Sequence, residues 1–227
     1  MSGKFWIGGL VLALSEGAVP ALPALPAVAA TPYEIHVIAS LSGGGSFLGK
    51  EEEESLKLAE PVFNAEGGIH GHPIHFTFRD DQSTPQVAVQ AANDAIADHP
   101  AVILGSSLVA ACNAMTPLMK NGPVMYCFSP GIHPPKGSFV FTSSVSTGDY
   151  ADALIRFFRL KGRTRMALLT STDATGQDAE HGFDKLLALP ANKDIKVVER
   201  AHFNTNDVSV SAQIERVKAA NPQFFIG

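Results

Sequence analysis

The chain has 227 residues, a formal net charge of −5, and a composition that is 45% hydrophobic and 17% charged. That apolar content excludes general disorder, and the lack of a short repeat excludes collagen and coiled coil. An acidic chain without basic clusters is also poorly matched to nucleic acid, whose binding is dominated by phosphate neutralisation. Its two cysteines make neither a disulfide scaffold nor a four-ligand zinc site.

Residues 1–30 read as a secretory signal peptide. Lys4 supplies the positive start, Phe5–Leu14 the apolar run, and Ala27–Ala30 the small residues at a cleavage site after Ala29 or Ala30. The run is too short to cross a bilayer, and Pro20, Pro23 and Pro26 would interrupt a spanning helix. The expectation is an exported, periplasmic protein.

From residue 31 strand and helix patterns alternate. Glu34–Ser40 is a buried strand, Gly43–Gly49 a glycine-rich loop, and Glu51–Ala65 a helix with Leu56, Leu58, Ala59, Val62 and Phe63 at helical spacing, ended by Gly67-Gly68. Pro73–Arg79 is a strand, Pro85–Asp98 an alanine-faced helix, and Ala101–Leu104 a strand. Ala110–Lys120 is a helix, with strands at Val124–Phe128 and Ser138–Thr142. Then follow helix Tyr150–Leu160, strand Met166–Thr170, helix Gln177–Leu189, strand Ile195–Ala201, helix Val208–Ala220 and strand Gln223–Ile226. Such alternation predicts parallel sheets flanked by helices. It falls into two blocks, 31–142 and 148–227, joined by a polar crossing segment at 143–147.

Catalytic and cofactor motifs fall short. Gly44-x4-Gly49-Lys50 approaches a phosphate loop, but Glu51 stands where Ser or Thr should hold magnesium. Gly43-x-Gly45 lacks the third glycine of a dinucleotide fingerprint, with Leu48 in its place. His70, His72 and His75 have no neighbouring Cys or carboxylate to complete a metal site, so neither a cofactor nor a metal is implied. Gly105-Ser106-Ser107 is not a nucleophile elbow, and no acid–base constellation marks an exported enzyme. Cys112 and Cys127 are open to two readings, a bridge in an oxidising compartment or two buried thiols.

The loops that follow strands are more informative. Residues 105–110, 129–133 and 170–176 carry small and hydroxyl side chains just ahead of helix starts. In open α/β sheets ligands bind outside the carboxyl ends of strands, and helix starts present free N–H groups to anions. The same Ser and Thr residues also serve as helix caps.

The run Phe63-Asn64-Ala65-Glu66-Gly67-Gly68-Ile69-His70-Gly71-His72-Pro73, followed by Asp80-Asp81-Gln82-Ser83-Thr84-Pro85, resembles the leucine/isoleucine/valine-type substrate-binding proteins of ABC transporters. Leu41-Ser42-Gly43, Ile103-Leu104-Gly105 and Phe128-Ser129-Pro130 match in the same order. The resemblance implies a two-lobe α/β fold of the type I periplasmic-binding-protein kind, closing on a ligand between the lobes. Because family members continue past the position of Gly227, it also implies a C-terminally truncated chain with an incomplete second lobe. The ligand's carboxylate would meet the loops after the third and fourth strands, Ser107, Leu108, Val109 and Ala110 with Gly131, Ile132 and His133. The family's aromatic ahead of the first helix falls on Leu48, and its second-lobe tyrosine on Thr175. These departures turn the expectation from branched-chain amino acids toward aromatic or other organic acids. The implied role is capture of a small carboxylate for a membrane permease, with a ligand-sensing receptor domain of the same fold as the alternative.

Overall fold

A computed structural model describes residues 30–227. The leader expectation falls almost wholly on residues 1–29, outside the described residues.

Two parallel sheets organise the chain. The first has strands β1 (Tyr33–Ala39), β2 (Ile74–Asp80), β3 (Val102–Leu104), β4 (Val124–Cys127) and β5 (Val140–Thr142), in the order β2-β1-β3-β4-β5. The second has β6 (Arg165–Ser171), β7 (Lys196–Phe203) and β8 (Phe224–Ile226), in the order β7-β6-β8. All pairings are parallel. The helices are α1 (Ser46–Ala65), α2 (Pro85–Ala97), α3 (Val109–Met115), α4 (Thr147–Leu160), α5 (Ala174–Leu187) and α6 (Ser211–Ala219).

β1 and β6 are central strands covered on both faces, so they are largely apolar, with Ile35, Val37, Ile38 and Ala39 in β1 and Met166–Leu169 in β6. Ile38, Ala88, Ile103, Met115 and Met125 form a core on the α2–α3 face of the first sheet, and Val37, Ala39 and Phe76 form one on the α1 face. Both sheets reverse direction at a central strand: β1 has β2 on one side and β3 on the other, and β6 has β7 and β8. The crevice outside such a switch point is where open α/β sheets take ligands.

Several element boundaries differ from the sequence expectation. The Gly43–Gly49 stretch is a loop only to Gly45, and α1 begins at Ser46. Gly49 lies inside the helix because its first turn rests on the end of β1, where an added Cβ would sit 2.2 Å from the Ser40 carbonyl oxygen. The apolar stripe expected to pack inward on α1 does so only through Leu56; Leu58, Val62 and Phe63 are exposed. The helix expected to reach Lys120 gives way after Met115 to a 3-10 turn containing Pro117, whose ring removes a helical N–H donor. α5 starts at Ala174 rather than Gln177 because the Asp173 carboxylate accepts from the amides of Thr175 at 3.0 Å and Gly176 at 3.1 Å, a helix cap.

Residues 143–146 link the sheets. Ser146 caps α4 through the Asp149 amide at 3.2 Å, so Thr147 is the helix's first residue.

Candidate functional site

The Asn64–Pro73 run builds a turn. Asn64 clamps Ile74 with both ends of its amide, accepting from the Ile74 N–H at 2.6 Å and donating to the Ile74 carbonyl at 2.9 Å. Gly68 has φ +61°, and an added Cβ would lie 2.0 Å from the His72 carbonyl oxygen. His72 Nδ1 pairs with the Thr31 carbonyl and His75 Nδ1 with Glu60, so these histidines serve separate local contacts.

Asp80 and Asp81 organise the mouth of the first sheet. Asp80 accepts from the amides of Leu41, Ser42 and Gln82 and from the Ser42 hydroxyl, pinning the loop after β1 to the end of β2. Burial opposes its ionisation, but those donors outweigh it and hold the carboxyl below its usual range. Ser83 completes the clamp: its hydroxyl donates to the Ser42 carbonyl at 2.7 Å and accepts from the Gly45 amide at 3.0 Å.

The loop after β3 rests on a covalent tie. Cys112 in the first turn of α3 and Cys127 at the end of β4 form a disulfide, which decides between the two sequence readings. Gly105 sits on that bridge, where a Cβ would come within 2.8 Å of Cys127 Sγ. Ser106 Oγ accepts from the Leu108 amide at 3.2 Å and lies 3.4 Å from Ser40 Oγ, which donates to Asp81 at 2.7 Å. Ser107 donates its hydroxyl to Glu52, a residue of α1.

Glu52 belongs to a run of four glutamates, Glu51–Glu54, in α1, but it is set apart from the others. Gly49, Glu52 and Leu56 share one stripe of α1, and that stripe faces the sheet end. Burial is the largest influence on the Glu52 carboxyl, opposed by the Ser107 hydrogen bond and reinforced by the charge of Asp81; together they push its pKa up to about 7. Glu52 Oε2 and Asp81 Oδ2 are both buried without a hydrogen-bond partner.

The two lobes meet at these same loops. Gly131 is buried beside Val109 and Asp178 of α5: a Cβ there would lie 2.7 Å from Val109 Cγ2 and 2.9 Å from Asp178 Oδ2. His133 Nε2 stands 2.7 Å from Asp178 Oδ1. Ala174, at the start of α5, packs against the first-lobe core. Gly44 faces Thr205 and Asn206 of the segment after β7, with a Cβ position 3.0 Å from the Thr205 carbonyl oxygen. Behind His133 a cleft of ≈ 510 Å³ lies between α4 and α5, lined by Thr147, Asp149, Asp178, His181 and Lys185 among others, with His133 at its edge.

Of the expected site segments, 107–110 and 131–133 meet at Val109 and Gly131, with Asp178 of α5 on the other side of Gly131. Val109 and Ile132 are buried in the core, and His133 is exposed. Two expected residues stand differently. Leu48 is on the first turn of α1 with an exposed side chain. Thr175 has its amide already engaged by Asp173, which leaves only its side chain for a ligand. In contrast, no side chain caps α3. Sequence reasoning missed Asp178, whose helical spacing of four from Ala174 puts it on the side of α5 that meets the first lobe. It also missed Glu52, detectable from the Gly49–Leu56 stripe.

Comparison with known proteins follows this geometry. The family described as periplasmic binding protein matches residues 32–227. A Leu/Ile/Val-binding protein homolog from Brucella melitensis is 32% identical over 92 residues, which are 40% of this chain and 25% of that relative. A solute-binding protein of an ABC transporter from Rhodopseudomonas palustris, solved with benzoate, superposes with a TM-score of 0.69 at 19% identity, over 86% of this chain and 54% of that one. Its counterpart from strain BisB5, solved with 3,4-dihydroxybenzoic acid, gives 0.70 at 20% identity over 86% and 53%. A leucine-binding protein from Thermotoga maritima gives 0.64 at 21% identity over 85% and 55%. The chain spans about half the length of these solved structures and a quarter of the curated relative.

Proposed function

The chain belongs to the periplasmic binding protein family, and from that premise we propose that it is the exported solute-binding component of an ABC importer. In this reading it captures a small carboxylate between its lobes and presents it to a membrane permease. Residues 31–142 form one lobe, 148–227 belong to the other, and 143–147 act as a hinge crossing. The ligand's carboxylate meets Ser107, Leu108, Val109 and Ala110 on one side and Gly131, Ile132 and His133 on the other, with Leu48 and Thr175 facing the rest of the molecule. The role is binding, not catalysis.

The observation that carries the reading is the convergence of strand-end loops from both sheets on one junction, seen at Gly131–Val109–Asp178 and at Gly44–Thr205. Ligands bind at such sheet ends in α/β folds, and a junction of two lobes is one that closure completes. Benzoate and 3,4-dihydroxybenzoic acid in structural neighbours support a carboxylate. Leu48 and Thr175, standing where the resemblance places aromatic side chains of amino-acid binders, favour aromatic or other organic acids over leucine.

Thermal unfolding of the chain with benzoate, 3,4-dihydroxybenzoate and L-leucine tests this. A ligand at a hundredfold over its Kd adds about 2.7 kcal/mol to the folded state. Stabilisation by an aromatic acid and none by leucine is expected, with the gain reduced in His133→Ala. Leucine as the stronger ligand would reverse the ligand order, and no response to any of the three would refute the binding role.

A further inference from the structure

We infer that Glu52 is a positioning residue of the carboxylate site, taking up one proton as an anionic ligand binds and acting through the hydroxyl of Ser107. The inference rests on the reading of residues 107–110 as a carboxylate subsite.

The geometry is a relay of three groups. Ser107 is buried and has one hydroxyl proton, which it gives to Glu52. While Glu52 is ionised, that proton is committed and Ser107 offers a ligand only its lone pairs, which repel a carboxylate. Once Glu52 is protonated, its own O–H donates to Ser107 Oγ, and the serine proton turns to the ligand. The proton comes from the solvent, so one is consumed for each Glu52 converted. Electrostatics acts in the same direction: an incoming anion beside a buried carboxylate favours that carboxyl's neutral form.

The surroundings leave a carboxylate at Glu52 poorly compensated. Its Oε2 is buried without a partner, as is Oδ2 of fully buried Asp81, whose other oxygen serves Ser40 and the Ser83 amide. The end of β1 and the 105–108 loop contribute hydroxyls, from Ser40, Ser106 and Ser107. The end of β2 contributes Asp81 and Asp80, the latter held ionised by its four donors. α1 itself carries Lys50, Glu51 and Glu53 beside Glu52. The second-lobe segment facing Gly44 brings Thr205 and Asn206, followed by Asp207, which accepts from the Asn204 amide. The charge that reaches Glu52 is that of Asp81, and burial holds the carboxyl near a half-protonated state at neutral pH.

Calorimetric titration of the chain with benzoate in two buffers of different ionisation enthalpy counts the protons. The expected result is net uptake near pH 7 and an affinity that falls about tenfold from pH 6 to pH 8, as the protonated fraction drops from about nine-tenths to about one-tenth around a pKa of about 7. A protonated-carboxyl band should appear in the infrared difference spectrum on adding benzoate. Glu52→Gln should bind benzoate without the pH slope, the uptake or the band. Benzoate binding with a flat profile and no uptake in the wild type, or the same slope in Glu52→Gln, would overturn the coupling while leaving the binding role intact. If the variant does not fold, the wild-type proton count and band decide alone. No binding of benzoate, 3,4-dihydroxybenzoate or leucine from pH 5 to 8 would remove the coupling and the binding role together.

Discussion

His133 and Asp178 are 45 positions apart and belong to different lobes, yet the imidazole Nε2 lies 2.7 Å from the carboxylate Oδ1. The contact latches the loop after β4 to the second turn of α5. His133 is exposed while Asp178 is nearly enclosed, with Oδ2 buried and unpartnered. A polar contact with one partner in solvent contributes little to global stability, of order 0–1 kcal/mol. Its effect should fall instead on the relative position of the lobes, because among the described residues it is the side-chain hydrogen bond that joins them. Asp178→Ala is therefore expected to leave the unfolding free energy within about 1 kcal/mol of wild type while raising the radius of gyration measured by small-angle scattering. An unchanged scattering profile would show that the latch does not hold the lobes.

Gly131→Ala probes the same junction by sterics. The new Cβ would press on Val109 Cγ2 at 2.7 Å and Asp178 Oδ2 at 2.9 Å, one neighbour from each lobe. Overpacking of this kind costs about 1–3 kcal/mol. If Val109 is the obstacle, Val109→Ala should restore part of the loss in the double variant, a coupling that chemical denaturation of the four proteins measures. Strict additivity would place the strain elsewhere.

Much of the lobe architecture was legible because it is written in local signals. The largely apolar stretches of β1 and β6 announce buried parallel strands, and the Asn64–Gly68 turn is a short-range device closed on Ile74, ten positions away; the Asp80–Ser83 clamp carries a recognisable local motif, although its partners Leu41, Ser42 and Gly45 lie about 40 positions back. Boundaries shifted where tertiary packing decided: Gly49 reads as loop but serves the close approach of α1 to Ser40. The candidate site was read mainly from first-lobe loops, with Thr175 as its second-lobe member. Asp178 carries no local mark, since its significance comes from a partner 45 positions away. Glu52 is concealed among three glutamate neighbours, and only its helical spacing from Gly49 and Leu56 separates it from them.

The Cys112–Cys127 bridge closes a loop with a sequence separation of 15, for which the chain-entropy account gives about 3 kcal/mol. Replacing both cysteines with alanine should lower stability by about 2–4 kcal/mol in denaturant titrations. Because Gly105 rests on Cys127, the 105–108 loop should also loosen, read as faster amide exchange at Ser106–Val109 than in the rest of the first lobe. Uniform acceleration across that lobe would mean that the bridge stabilises the lobe without shaping the site.

Glu52 gives the fold a pH dependence of definite sign. Its carboxyl ordinarily titrates at 4.5 and is raised to about 7 in the folded chain by burial and by Asp81, against the opposing bond from Ser107. The folded state therefore holds this proton more tightly than the unfolded chain. The associated stabilisation is complete below about pH 4.5 and is lost progressively as pH rises through about 7. Asp80 works oppositely, since a carboxyl held below its usual range adds stability that disappears as pH falls. The Asp80 contribution fades at the acidic end, and histidines titrate in both proteins alike, so the difference between wild type and Glu52→Gln from pH 5 to 8 reports Glu52. Across that interval, wild-type stability should decline with pH, and Glu52→Gln should remove that component and become the more stable protein at pH 8, by about 1–2 kcal/mol once solvent screening of a partly exposed group is allowed for. Differential scanning calorimetry of both proteins across the interval measures the two slopes. Parallel slopes would mean that Glu52 is ionised in the folded chain at neutral pH, and that Asp81 and burial do not govern it.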